Sequence, residues 1–135
     1  MPCTAAFLGP HTYISPSLYN LKESAPTWNY MAVHLSGVAD VYNDEATKQM
    51  ILEKTTAAVG PEYWKQWENL SKKYLDMLMP QLTAFIIRAE NVEACFKLSQ
   101  DKPANIRENI IAYLSSTDDS NKKAVAAYMR QLFTT

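Results

Sequence analysis

"TWNYMAVHLSGVADVY", residues 27–42, decides how the chain folds. From Thr27 to Leu35 the residues follow the two-residue period of a strand. Trp28, Tyr30, Ala32 and His34 fall on one face, and Asn29, Met31, Val33 and Leu35 on the other. Gly37 allows a bend, and "VADVY" (38–42) continues as a second strand segment, so the two form one long bent strand or a tight pair. Two readings of the Trp28 face stand open. Trp28 and Tyr30 could pack in a core with their polar tips hydrogen-bonded and His34 at the rim. Alternatively the face is a pocket wall, with aromatic rings for a planar ligand and polar tips to orient it.

Outward from this stretch, "CTAAFL" (3–8) reads as a short strand broken by Gly9-Pro10-His11, and 12–26 as a loop with one helical turn. Residues 43–60 read as a helix, with Asn43 or Asp44 as cap, acids in the first turn and an end at Gly60-Pro61. Residues 61–80 read as a second helix, with Trp67, Leu70, Tyr74 and Leu78 on one stripe and Pro80 closing it. "TAFIIRA" and "VEACFKLS" return to strand chemistry, with "ENV" between them as the turn of a hairpin. Lys97 and Ser99 share a face there with Cys95. Two helices finish the chain, at 103–114 and 118–133. Strands cluster without a βαβα rhythm. The fold class is therefore α+β, with a mostly antiparallel sheet and four flanking helices, in a single domain over 1–135.

The composition excludes several functions. Lys+Arg is 13 against Asp+Glu 14, a net charge of -1, which argues against binding nucleic acid through bulk charge. No apolar run approaches the roughly 20 residues of a membrane span, and the N-terminus lacks the basic and apolar regions of a signal peptide. Cys3 and Cys95 are too few for a disulfide scaffold and read as free thiols in a reducing cytoplasm. The only histidines, His11 and His34, lie far apart in sequence, so no metal site is expected. With three Gly in all, there is no phosphate loop. No nucleophile or metalloprotease motif is present. The last two helices lack the look of a helix-turn-helix, because "SSTDDSN" is long for its turn and acidic.

One further candidate is "FKLSQDK" (96–102). Lys97, Ser99 and the following Gln100 could hold a phosphate, although an exposed strand end with a solvated lysine would look the same.

Three stretches then occur in a telling order: "FLGPHTYISPSLY" (7–19), "PTWNYMAVHLSG" (26–37) and "FKLSQ" (96–100). On these the chain resembles the PaiB-like proteins, described as FMN-binding negative transcriptional regulators. The resemblance runs from residue 7 to about 115. It implies an FMN-binding split β-barrel, assembled as a homodimer with flavin near the subunit interface. It implies that FMN lies on the Trp28, Tyr30 and His34 face, with Lys97, Ser99 and Gln100 near its polar end. Similar chains are longer, with a block of strands ahead of the G-P-H motif. The barrel is thus expected to be incomplete in this chain, with two copies covering each other's open surfaces. The similar sequences also carry a Trp at Leu18, a basic residue at Cys95 and Asn-Arg at Asp101-Lys102. These departures make the strand end a poorer host for a dianion. Two alternatives follow, a regulatory or interaction protein without cofactor and a flavin-dependent oxidoreductase for a small molecule. No residue identifies a substrate, acid, base or nucleophile, and no helix is suited to reading DNA directly.

Overall fold

The computed structural model describes residues 1–133, without the side chains of Pro61 and Trp64. Three long strands form an open antiparallel sheet in the order β1-β2-β3: β1 (Pro2–Ile14), β2 (Thr27–Tyr42) and β3 (Ala84–Lys97). Residues 27–42 are one continuous strand, with Gly37 inside it. The antiparallel pairing of β1 with β2 shows at Met1, which exchanges main-chain hydrogen bonds with Ala39 in both directions.

The strands outrun their predicted limits in two places. β1 continues through Gly9-Pro10-His11 to Ile14. Proline is tolerated there because β1 is an edge of this sheet and needs no donor on its open side. β3 passes through Glu90-Asn91-Val92 without turning, so the expected hairpin is a single strand. A tight hairpin turn needs positive φ, and no residue of this stretch adopts it.

By compactness the chain divides into two units, and each strand contributes to both. The first unit comprises Met1–Cys3 and Gly37–Glu90. Its helix α1 (Glu45–Val59) starts where the Asp44 carboxylate accepts from the Thr47 N–H at 2.8 Å. The expected second helix is broken into α2 (Trp64–Trp67) and α3 (Lys72–Leu78). Ser71 is the physical reason, since its hydroxyl accepts from Tyr74 N–H and starts a new helix rather than continuing the old one. The predicted Trp67–Leu78 stripe is therefore split between two short helices. The buried Lys48 reaches across from α1 to donate to the Met79 carbonyl at 3.0 Å. Gly37 lies against β3 so closely that a Cβ there would sit 2.0 Å from the Arg88 carbonyl oxygen.

The second unit comprises residues 4–36 and 91–135. Its core is built on α4 (Ala104–Ser116) and α5 (Ser120–Phe133). Ile106, Ile110 and Leu114 meet Val125, Ala126 and Met129, the sheet adds Ile14 and Met31, and Leu98 joins from just past β3. The i, i+4 spacing in α4 gives a continuous apolar stripe. The connection between the two helices is only Thr117 to Asp119, because both ends of "SSTDDSN" are helical, so that linker is shorter than the sequence suggested.

Candidate functional site

The alternation of β2 sorts its residues as expected. Asn29 and Met31 are buried under the sheet, while Trp28 is 47% exposed and Tyr30 partly so. Trp28 and Tyr30 therefore face out of the core rather than into it.

The buried face is held by a polar lock. Asn29 is fully buried, and its Nδ2 donates to Ser99 Oγ at 3.0 Å. Ser99 Oγ–H donates back to Asn29 Oδ1 at 3.1 Å. The same Nδ2 lies 3.7 Å from Met129 Sδ in α5. Ser99 has φ 59, a left-handed conformation that costs a serine energy, and the Asn29 bonds help hold it there. Ser99 is thus occupied mainly in joining the third motif to the second. Gln100 is occupied too. Its Oε1 accepts from Leu98 N–H at 2.7 Å and its Nε2 donates to the Phe96 carbonyl, capping the end of β3.

The exposed face carries an aromatic group. The Trp28 indole stacks on His11 with ring centroids 5.9 Å apart and meets Tyr13 edge-on at 6.3 Å. Its Nε1 donates to His11 Nδ1 at 3.3 Å. Next on the strand, Tyr30 Oη lies 3.4 Å from Cys95 Sγ on β3, a hydrogen bond that raises the phenol pKa above its ordinary value. Since Tyr30 faces Cys95, antiparallel pairing sets Trp28 opposite Lys97. The structure thus brings Trp28, Tyr30 and Lys97 together. His34 is exposed six residues further along β2, roughly 20 Å away at about 3.3 Å per residue. His11 and Tyr13 join the group although sequence reasoning did not place them there. Their signal was the G-P-H-T-Y run, which strand alternation would have put on one face had β1 been read through Pro10.

Two hollows flank this sheet. One, of about 630 Å³, is apolar and lies on the buried side between Phe7, Met31, Val33, Phe96 and Leu132. The other, of about 420 Å³, opens where β3 ends and has a mixed lining, with Leu21 and Pro26 beside Glu23, Lys97, Asp101 and Lys102. Lys102 pairs with Asp101 at 2.7 Å, which raises the lysine pKa and lowers that of the carboxyl.

Among the described residues no group of three or more His, Cys, Asp or Glu could hold a metal. No helix there is long and apolar enough to cross a membrane.

Comparison with known proteins adds a family. A family model described as "Putative FMN-binding domain" matches residues 1–91. The chain is 34% identical over 124 residues to the "Protease synthase and sporulation protein PAI 2" of Bacillus subtilis, which covers 91% of this chain and 59% of that protein. It is 29% identical over 127 residues to an uncharacterized protein of Aspergillus fumigatus, covering 78% of this chain and 49% of the other. A further uncharacterized protein, from Emericella nidulans, is 23% identical over 142 residues, or 93% and 57% of the two chains. The chain thus spans about half to three fifths of the length of these relatives.

Proposed function

The chain belongs to the FMN-binding domain family and resembles its PaiB-like members, and from that premise we propose that it holds FMN on the exposed Trp28–Tyr30 face of its sheet. The observation that carries this reading is the outward aromatic group of Trp28, His11 and Tyr13 beside Lys97. The residues fit the group. A flat ring system gains by stacking on an exposed indole, and a phosphate gains from ammonium donors. Trp28 and Tyr30 would bind the ring, and Lys97 would meet the polar end. Ser99 and Gln100 would shape that end through the main chain, since their side chains are committed to Asn29 and to β3. His34 would serve only a ligand or partner reaching further along β2. Bound flavin supplies redox chemistry, while the protein supplies orientation and electrostatics.

We further place the site at a homodimer interface. Phe7 and Leu8 on one sheet edge are 59% and 64% exposed, and Val92 and Phe96 on the other are 59% and 52% exposed. Such open, apolar edges invite pairing. A regulatory role in the cytoplasm belongs to the same reading, supported by the resemblance and by two free thiols. The test is an FMN titration followed by absorbance, by the tryptophan fluorescence that a Trp28→Phe variant loses, and by melting temperature. Saturable binding with a higher melting temperature supports the reading. An unchanged melting temperature with unquenched Trp28 rejects it. A monodisperse monomer in sedimentation would reject the dimer.

A further inference from the structure

We propose that His11 is a positioning residue of the aromatic face: its neutral imidazole pins the Trp28 indole in place, and acid releases the pin. The role of the pin rests on the flavin reading, whereas the pin itself belongs to the free chain.

The bond joins two strands and two motifs. His11 lies on β1 in "GPHTY" and Trp28 on β2 in "PTWNY", 17 residues apart. The indole Nε1–H donates to His11 Nδ1 at 3.3 Å, and the two rings stack with their planes 28° apart. An indole nitrogen only donates, so Nδ1 is the unprotonated nitrogen and Nε2 carries the proton of a neutral imidazole. Tyr13, two residues on, meets the same indole edge-on. Because β2 lies between β1 and β3, His11 and Tyr13 hold the indole from one side while β3 brings Lys97 to the other. A side chain that is 47% exposed has little packing to fix it. The bond from β1 therefore makes the indole a preorganised platform, which spares a ligand the cost of ordering it.

Acid reverses the bond. A protonated imidazole has donors at both nitrogens and no acceptor, so it would set N–H against N–H. Imidazole ordinarily changes charge between about pH 5 and 8. The other titratable groups on this face are Tyr13 on β1, Tyr30 on β2, and Glu93, Cys95 and Lys97 on β3. Groups of these kinds ordinarily titrate outside that window, carboxylates below it and the rest above. His34, further along β2, is the other imidazole of the chain. Imidazolium also adds a cation to the face that carries Lys97, which would attract a phosphate. Riboflavin has no phosphate and reports the platform alone.

The experiment first follows the Trp28 indole N–H of the full chain by heteronuclear NMR from about pH 5 to 8, without ligand. Trp28→Phe assigns the signal, and His34→Gln separates the two imidazoles. The signal should shift in step with His11 protonation, and its proton should exchange faster with water in acid. His11→Phe keeps a stacking ring without an acceptor, so the signal should stay at its acid position throughout. His11→Asn offers an amide oxygen in place of Nδ1 and should restore the bonded signal without the pH response. A Trp28 signal that ignores His11 protonation, or that titrates equally in His11→Phe, would overturn the pin.

Flavin titrations then test its role. At about pH 8, where imidazole is ordinarily neutral, His11→Phe should weaken FMN severalfold, within the roughly 2- to 10-fold worth of one neutral hydrogen bond. His11→Asn should recover most of that loss. Riboflavin should bind the parent more weakly in acid, and His11→Asn should abolish that dependence. Equal FMN affinity in the parent and His11→Phe would reject the positioning role and leave the flavin reading standing. An indole titration in a chain that binds no FMN would reject the flavin reading and the role with it, while establishing the pin.

Discussion

Replacing Asn29 and Ser99 by alanine, singly and together, tests whether two distant motifs are joined by the bond pair that the structure shows. The residues are 70 apart in sequence, and each side chain both gives to and takes from the other, at 3.0 and 3.1 Å. A neutral hydrogen bond contributes about 0.5–1.5 kcal/mol net, while a buried polar group left without its partner costs about 1–3 kcal/mol. Ser99→Ala strands the Asn29 amide and should cost about 2 kcal/mol on that basis. Asn29→Ala strands the Ser99 hydroxyl and opens a small cavity under α5, so about 3 kcal/mol is expected. The double variant strands nothing. Its loss should fall short of the sum by about 1–2 kcal/mol, the coupling expected of contacting polar groups. Urea unfolding of the four proteins, followed by far-UV circular dichroism, measures the cycle. Additivity to within about 0.3–0.5 kcal/mol, the scatter of independent sites, would refute the lock.

Gly37→Ala should destabilise the first unit by about 1–3 kcal/mol, because its Cβ meets the Arg88 main chain rather than a side chain that can swing away; a thermal melt equal to the parent would exclude that close approach. Trp28→Ala should weaken FMN roughly 5- to 150-fold, taking about 1–3 kcal/mol per stacked ring from an indole platform, with little change in stability because the side chain is half exposed. In α1, the Thr47 N–H holds the Asp44 carboxyl below its usual pKa. A depressed pKa stabilises the fold above the unfolded-state value and loses that contribution as pH falls through the folded value, so the effect begins to fade at about pH 4 and is gone only below the folded value. Asp44→Asn should keep the cap and flatten this pH dependence in circular dichroism at the helix band, whereas an undiminished acid transition would point to another group.

Residue pattern made the sheet legible where side chains alternate against a core. Asn29 and Met31 went inside and Trp28 and Tyr30 outside, as period two requires. It failed where punctuation was taken at face value. Gly9-Pro10 reads as a break, yet an edge strand has no ladder bond to lose there. Glu90-Asn91 reads as a turn, yet strand pairing outweighed that weak local preference and β3 runs on. Ser71 is an ordinary helix residue until its hydroxyl finds Tyr74 N–H, and nothing in the apolar stripe of 61–80 announces that choice. The proposed site was half legible. Its lysine, Lys97, enters through a sequence motif, but Tyr19 and Lys102 share a hollow with it only because the segments around 19–27 and 97–102 face each other. That is long-range information which no local window holds.

The side chains of the PTWNY and FKLSQ motifs divide their labour by face, and this changes what a substitution in either motif means. In "WNYM" the even positions meet solvent and the odd ones meet the core. In "KLSQ" only Lys97 is free to meet a ligand, while Leu98, Ser99 and Gln100 fill the core, grip Asn29 and cap β3. Loss of flavin in an Asn29 or Ser99 variant would therefore report a displaced strand end, and should be matched by lost stability. Loss of flavin in a Trp28 or Lys97 variant should leave stability nearly unchanged. A motif whose residues all behaved alike in both measurements would be inconsistent with this division, because residues on opposite faces of one strand cannot share one environment.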